Sequence, residues 1–206
     1  MDPAPATRRP AEDPPRADRS RARPRRAVLG VVLVIAALTA GWPLIDGVLG
    51  DRERVPAGTA LVLGPDDEVA VLRVTGHGWA LSKSSSDPDM SYALSRDGVD
   101  LAARYVPLTG TGDPGALWGG LRKVQSVADS GSRLGAGRRI SGARGAVGRS
   151  GSLTGGGRAG SATLWLPPGR GYAVEIVVLA RPGATPGAVA DAMSMARGLT
   201  FPQGTP

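Results

Sequence analysis

One stretch of nineteen residues, from Ala27 to Ile45, contains no charged side chain. About 20 apolar residues cross the hydrocarbon core of a bilayer, so this length predicts a single transmembrane helix. Trp42 lies near the far end of the run, where an indole ring favours the headgroup region. We therefore predict a membrane helix over residues 27–49. A buried core helix is the alternative, and an uncharged run beside an arginine-rich flank argues against it.

The charges on the two sides of this run predict its orientation. Residues 1–26 contain eight arginines, and five of them directly precede the apolar run: Arg19, Arg21, Arg23, Arg25 and Arg26. The charges that follow the run are balanced. The positive-inside rule then places the N-terminus in the cytoplasm and the chain after residue 50 outside. Residues 1–26 are also rich in proline and poor in apolar residues, which predicts a disordered cytoplasmic tail.

A cleaved signal peptide is the alternative for the same segment. Secretory apolar cores measure about 7–15 residues and end at a small-residue cleavage site. This run is longer, and its nearest match, which ends at Ala40, carries Leu38 at the −3 position. We predict an uncleaved signal anchor in the cell membrane, with one span and an extracytoplasmic C-terminal domain.

Composition excludes several classes of site. The chain has no cysteine and one histidine, His77. Disulfides, thiolate metal sites, iron–sulfur clusters, a cysteine nucleophile and two-histidine metal sites are therefore ruled out. We expect no metal and no cofactor. Aromatic residues make up 4% of the chain, so we expect a core built from Val, Leu, Ala and Ile.

Residues 55–202 are long enough for one self-sufficient domain, after a short linker at 50–54 and before a disordered C-terminus at 203–206. Apolar runs and alternating patterns predict strands over Thr59–Leu63, Glu68–Val74, His77–Leu81, Met90–Ser95, Val99–Val106, Ala162–Leu166 and Tyr172–Ala180. Asp97-Gly98 between two alternating runs is the strongest hairpin signal. The last strand is apolar on both faces apart from Glu175, which is typical of a central strand.

Two helices complete the predicted domain. The first covers Pro114–Asp129, with Asp113 as its N-cap and proline at the first helical position. The second covers Pro186–Arg197, capped by Thr185. We predict an α+β fold: an N-terminal transmembrane helix, then an antiparallel sheet domain with two helices covering one face.

The order of these features resembles a group of short single-pass envelope proteins of unknown function from G+C-rich actinobacteria. The resemblance is carried by the segments Val55–Thr59, Gly78–Trp79, Leu117–Trp118 and Leu199–Pro202. It implies an envelope location and no particular activity. The sheet-then-helix order and the closing helix also resemble the PsbP-like fold, which some mycobacterial surface lipoproteins share. This chain lacks the lipidated cysteine of those lipoproteins.

The sequence offers weak candidates for catalysis. His77 would be a general base beside a serine of the Ser82–Ser86 run, although no G-x-S-x-G elbow presents a nucleophile. Glu175 lies in an apolar strand, and a buried carboxyl must be paired or protonated, so an arginine partner in the sheet is the favoured interpretation. An envelope hydrolase using either residue is the alternative function. We predict a non-enzymatic protein with no catalytic residues.

Two further patterns favour loops over ligand sites. Residues Gly155–Gly160 satisfy G-x-G-x-x-G, but a strand pattern follows where a dinucleotide site needs a helix, so we predict a glycine-rich hairpin. The acidic clusters at residues 66–68 and 87–89 lack the spacing of a calcium loop and indicate exposed turns.

The most distinctive part of the domain is Gly131–Gly160, here called the arginine strip. Its members are Arg133, Arg138, Arg139, Arg144, Arg149 and Arg158, and no acidic residue occurs between Asp129 and Glu175. Such a strip favours an anionic surface: lipid headgroups, wall polymer or a phosphate-bearing ligand. An envelope protein is another possible partner, and a solvated hairpin with codon-biased arginine is the functionless alternative. Nucleic acid is not expected, since base-stacking aromatics are missing and the domain is predicted to lie outside.

Overall fold

The computed structural model describes residues 51–202, with gaps at 67, 110–111, 129–130 and 170. The predicted tail, membrane helix and C-terminal residues 203–206 lie outside this range. The strands are β1 Arg52–Val55, β2 Ala60–Leu63, β3 Ala70–Arg73, β4 Trp79–Ser82, β5 Ser91–Arg96, β6 Val99–Pro107, β7 Arg133–Leu134, β8 Arg138–Ser141, β9 Val147–Gly155, β10 Arg158–Leu166 and β11 Tyr172–Ala180. The helices are α1 Pro114–Ala128 and α2 Pro186–Arg197.

A single antiparallel sheet organises the domain. Its strand order is β1-β4-β5-β6-β11-β10-β9-β7, and β8 also pairs with β9, while β2 and β3 form a separate hairpin. The predicted α+β class and antiparallel sheet are confirmed. Strand β11 lies between β6 and β10, as its two apolar faces predicted. Strand β1 lies at the edge, paired with β4. The predicted linker at residues 50–54 is therefore too long, because the sheet already begins at Arg52.

The two helices cover opposite faces of the sheet, so the prediction that they share one face is wrong. Helix α1 carries Trp118 into a core with Leu153, Leu164 and Ala173. Helix α2 contributes Ala192 and Met195 to the larger core on the other face. Strand β11 explains this arrangement, because its residues on both faces are apolar except Glu175. A strand that is apolar on both faces needs cover on both.

Local signals placed the turns and caps correctly. Asp97 and Gly98 both have positive φ, and they join Arg96 to Val99 as a two-residue hairpin. The Asp113 carboxylate accepts from the Ala116 amide at 2.7 Å, which caps α1. The Thr185 hydroxyl accepts from the Ala188 amide at 3.4 Å and caps α2. Among the described residues, no helix has the length and apolar character needed to cross a membrane.

Tyrosine hydroxyls hold the β2–β3 hairpin against the α2 face of the sheet. Tyr92 donates to the Val62 carbonyl at 2.8 Å, and Tyr172 donates to the Val69 carbonyl at 3.0 Å. Tyr105 donates to the carboxylate of Glu68, and burial together with this hydrogen bond raises the pKa of Tyr105. These side chains have structural roles in closing the larger core.

Candidate anion-binding surface

A β-bulge lies in the middle of the arginine strip. Leu134 pairs with Leu153 and Arg138 pairs with Ser150, so residues 135–137 stand opposite only 151–152. Three residues therefore face two, so this side of the ladder has one extra residue, as in a bulge. Arg133 and Arg138 are an odd number of positions apart and would point to opposite faces of a regular strand. The extra residue brings both to the same face.

Two side chains from the α1 side hold this bulge. Arg149 donates from Nη1 to the Gly137 carbonyl at 2.9 Å, and Trp118 donates from Nε1 to the Gly135 carbonyl at 3.2 Å. The indole ring lies so close that a Cβ on Gly137 would stand 2.5 Å from Cε2 of Trp118. A Cβ on Gly151, across the strand pair, would stand 2.8 Å from its Cζ2. Both glycines are therefore required for the indole to pack here.

The face that the bulge creates combines two guanidinium groups with a row of hydroxyls. Arg133 is opposite Thr154 and Arg138 is opposite Ser150, and residues that pair directly share a face. Ser152 lies between them on the same face, opposite Ser161. We call this surface the β9 ledge; its members are Arg133, Arg138, Ser150, Ser152 and Thr154. All are exposed except Ser150, which is half-buried.

The structure separates the other strip residues from the ledge. Arg139 is exposed and pairs with Arg149, so it points to the α1 face. Arg144 is exposed in a short 3₁₀ turn beyond β8, with a φ of 57°. Arg158 lies 2.7 Å from the Asp100 carboxylate and is half-buried. The arginine strip is thus divided between two faces and a loop, and Arg149 and Arg158 are held by the fold.

Sequence reasoning missed the hydroxyls and one further cation. Ser150, Ser152 and Thr154 alternate along β9, a period-2 pattern that marks one face, but the strand itself was not predicted. Arg197 lies one turn after Met193 on the same side of α2, and Met193 contacts the Ser161 hydroxyl beside the ledge. A basic residue in a last helical turn is ordinarily explained by the helix dipole, so it gave no separate signal.

The structure does not assemble a catalytic group around His77. The side chain is exposed in the loop before β4, and within the described residues no hydrogen bond or ion pair reaches it. The neighbouring Gly76 packs on the ion pair between Arg96 and Asp191, whose atoms are 2.6 Å apart. Asp191 is thus already engaged, so the carboxylate beside this loop is not free to orient an imidazole.

Glu175 is half-buried, and it has an arginine neighbour in the sheet. Arg104 stands directly opposite in β6, on the α1 face. Burial raises the pKa of Glu175, and the positive charge of Arg104 lowers it in part. On the other side of Glu175, the residue that pairs with it in β10 is Leu164. A half-buried carboxyl that lies between an arginine and a leucine of the neighbouring strands fits a structural role.

The glycine and acidic patterns have structural explanations. Gly156 and Gly157, with φ of 56° and 72°, form the two-residue turn between β9 and β10. The predicted glycine-rich hairpin is confirmed, and a strand follows it as expected. In the 87–89 turn the Asp89 amide donates to the Asp87 carboxylate at 3.1 Å. Among the described residues, no group of acidic or histidine side chains has a metal-binding arrangement.

Comparison with known proteins finds similarity to solved structures and not to sequence families. No protein-family model matches the chain, and no curated protein matches it in sequence. The solution structure of cyanobacterial PsbP (CyanoP) from Synechocystis sp. PCC 6803 superposes with a TM-score of 0.52 and 13% identity, covering 76% of this chain and 100% of that one. The domain has a PsbP-like fold. At this identity the likeness concerns architecture alone, and the expected fold resemblance is supported to that extent.

The PsbP-like domain therefore supplies a scaffold, and its function must be argued from the surface. Of the six predicted contact residues, Arg133, Arg138, Arg139 and Arg144 are exposed. Within the described part of the chain, none of these four forms an ion pair or a side-chain hydrogen bond. These four are the strip arginines that a ligand can reach without breaking an existing contact.

Proposed function

We propose that the chain is a membrane-anchored, extracytoplasmic binding module that contacts anionic envelope components through exposed arginines of its PsbP-like domain. The resemblance to short single-pass envelope proteins supports the location. The anchor and orientation follow from the uncharged run at residues 27–45 and the arginines before it.

The observation that carries the proposal is the lack of acidic residues in the strands that carry the exposed arginines. Strands β7 to β10, residues 133–166, contain no aspartate or glutamate. The carboxylate of Asp100 does reach this region, but Arg158 occupies it. Exposed guanidinium groups on strands without acidic residues attract anions over roughly a Debye length, about 8 Å at physiological salt.

We expect a reporter that is active only outside the cytoplasm to function when fused after Pro206, and a cytoplasm-only reporter at the same position to be silent. The reason is the arginine excess before the apolar run. Reporter activity in intact cells measures this directly. The reverse result would place the domain inside, remove envelope ligands from consideration and make nucleic acid a candidate partner.

Replacing three exposed strip residues, in Arg138→Ser/Arg139→Ser/Arg144→Ser, should weaken binding to an anionic partner by roughly 100-fold, since each arginine near an anionic surface contributes about 1 kcal/mol. The full chain in nanodiscs of zwitterionic lipid is titrated with phosphatidylglycerol vesicles and, separately, with poly(glycerol phosphate). Affinity is measured at several salt concentrations, because fewer contacts should also flatten the salt dependence.

The matched control is Arg54→Ser/Arg73→Ser/Arg122→Ser, which removes the same charge from exposed positions outside the strip. It should retain most of the affinity for whichever probe binds. An equal loss in both variants would mean that net charge alone drives association. Absence of binding to both probes by the parent chain would refute the proposal.

A further inference from the structure

We propose that the β9 ledge binds a single extended polymer that carries phosphate groups, with the polymer lying along β9 beside α2. This inference rests on the proposed function and deepens it by naming the ligand class and the face. A lipid surface, the other anionic partner considered above, is planar and therefore requires a site of a different shape.

The ledge is an array of hydrogen-bond donors in a line. Guanidinium groups stand at both ends, opposite Ser150 and Thr154, and hydroxyls lie between them. Four residues of strand separate these ends, which is about 14 Å. Ser150 shares one hydrogen bond with Thr163 at 3.0 Å, and a hydroxyl retains further capacity for another partner. A phosphate offers several acceptor oxygens, which matches donors of both kinds.

The neighbouring helix decides between a polymer chain and a flat surface. Helix α2 packs on β11, β6 and β3, and it reaches β10 where Met193 contacts Ser161 at 3.1 Å. Ser161 pairs with Ser152, so the ledge lies on the strand next to the one that α2 contacts. A helix with its side chains is about 10 Å thick. A planar lipid surface meets α2 before it reaches the serine hydroxyls, whereas a single chain fits beside the helix.

The bulge gives this face a specific origin in the sequence. If residues 133–138 formed a regular strand without a bulge, Arg133 and Arg138 would lie on opposite faces. Arg149 holds the bulge from behind through the Gly137 carbonyl. Arg149 is therefore a positioning residue, and the two ledge arginines are the ones that touch the ligand.

Arg138 and Arg139 provide a matched test, because they are adjacent in sequence, both exposed and directed to opposite faces. The full chain in zwitterionic nanodiscs is titrated with poly(glycerol phosphate) of defined length. Arg138→Ser should weaken binding about ten-fold, as expected for loss of a charge-assisted hydrogen bond. Arg139→Ser should change affinity less than about two-fold. Thermal unfolding of each variant checks that the fold is retained.

A second variant separates hydrogen bonding from charge. Ser152→Ala/Thr154→Val leaves the net charge unaltered and should still weaken polymer binding by about three-fold or more. Equal losses in Arg138→Ser and Arg139→Ser, or a preference of the parent for phosphatidylglycerol vesicles, would overturn the ledge while leaving the broader anionic function intact. Binding to neither probe would defeat both.

Discussion

Trp118→Ala is expected to destabilise the PsbP-like domain by about 3–5 kcal/mol, the usual cost of removing a buried tryptophan. Its side chain is 2% exposed and packs between α1 and the β9–β10 side of the sheet. The change also removes the donor to the Gly135 carbonyl, which lies in the bulge. In a domain of this size, thermal unfolding should occur roughly 10 °C lower.

The same substitution should also weaken the ledge, because the bulge that aligns Arg133 and Arg138 loses one of its two side-chain supports. Trp118→Phe is the control: it keeps a buried aromatic ring but loses the hydrogen bond and part of the packing, at about 1–2 kcal/mol. Denaturation curves measure stability, and polymer titration at a temperature where both variants are folded measures the ledge. A Trp118→Ala protein as stable as Trp118→Phe would contradict the packing described here.

Elements with a strong local cause could be predicted from the sequence. The Asp97-Gly98 turn needs two residues with positive φ, and this dipeptide supplies them at low cost. The caps at Asp113 and Thr185 depend on oxygens three residues before the amides that they accept from. Strand β11 was bounded correctly because its apolar run is uninterrupted except at Glu175.

What could not be predicted depends on contacts between distant segments. The bulge exists because Trp118 and Arg149 bind carbonyls of the Gly135–Gly137 segment, and neither contact leaves a periodic trace in the segment itself. Arginines that look continuous in sequence are therefore sorted by register into opposite faces, a loop and an ion pair with Asp100. Helix placement failed for a related reason, since amphipathicity shows which side of a helix is buried and not which face of the sheet it covers.

Two glycine substitutions should have opposite signs, although the chemical change is the same. Gly160→Ala is expected to destabilise the domain by about 2–3 kcal/mol through overpacking. A Cβ there would overlap the Val178 carbonyl oxygen and stand 2.8 Å from its carbonyl carbon, and backbone of the neighbouring strand cannot rotate away. Gly119→Ala, in α1, meets open space among the described residues and should stabilise by about 0.5–1 kcal/mol, because alanine favours helix and restricts the unfolded chain. Urea denaturation of both variants tests the pair. Similar effects of both would mean that β10 and β11 are not in the close contact that the structure gives them, and that the glycine content reflects composition alone.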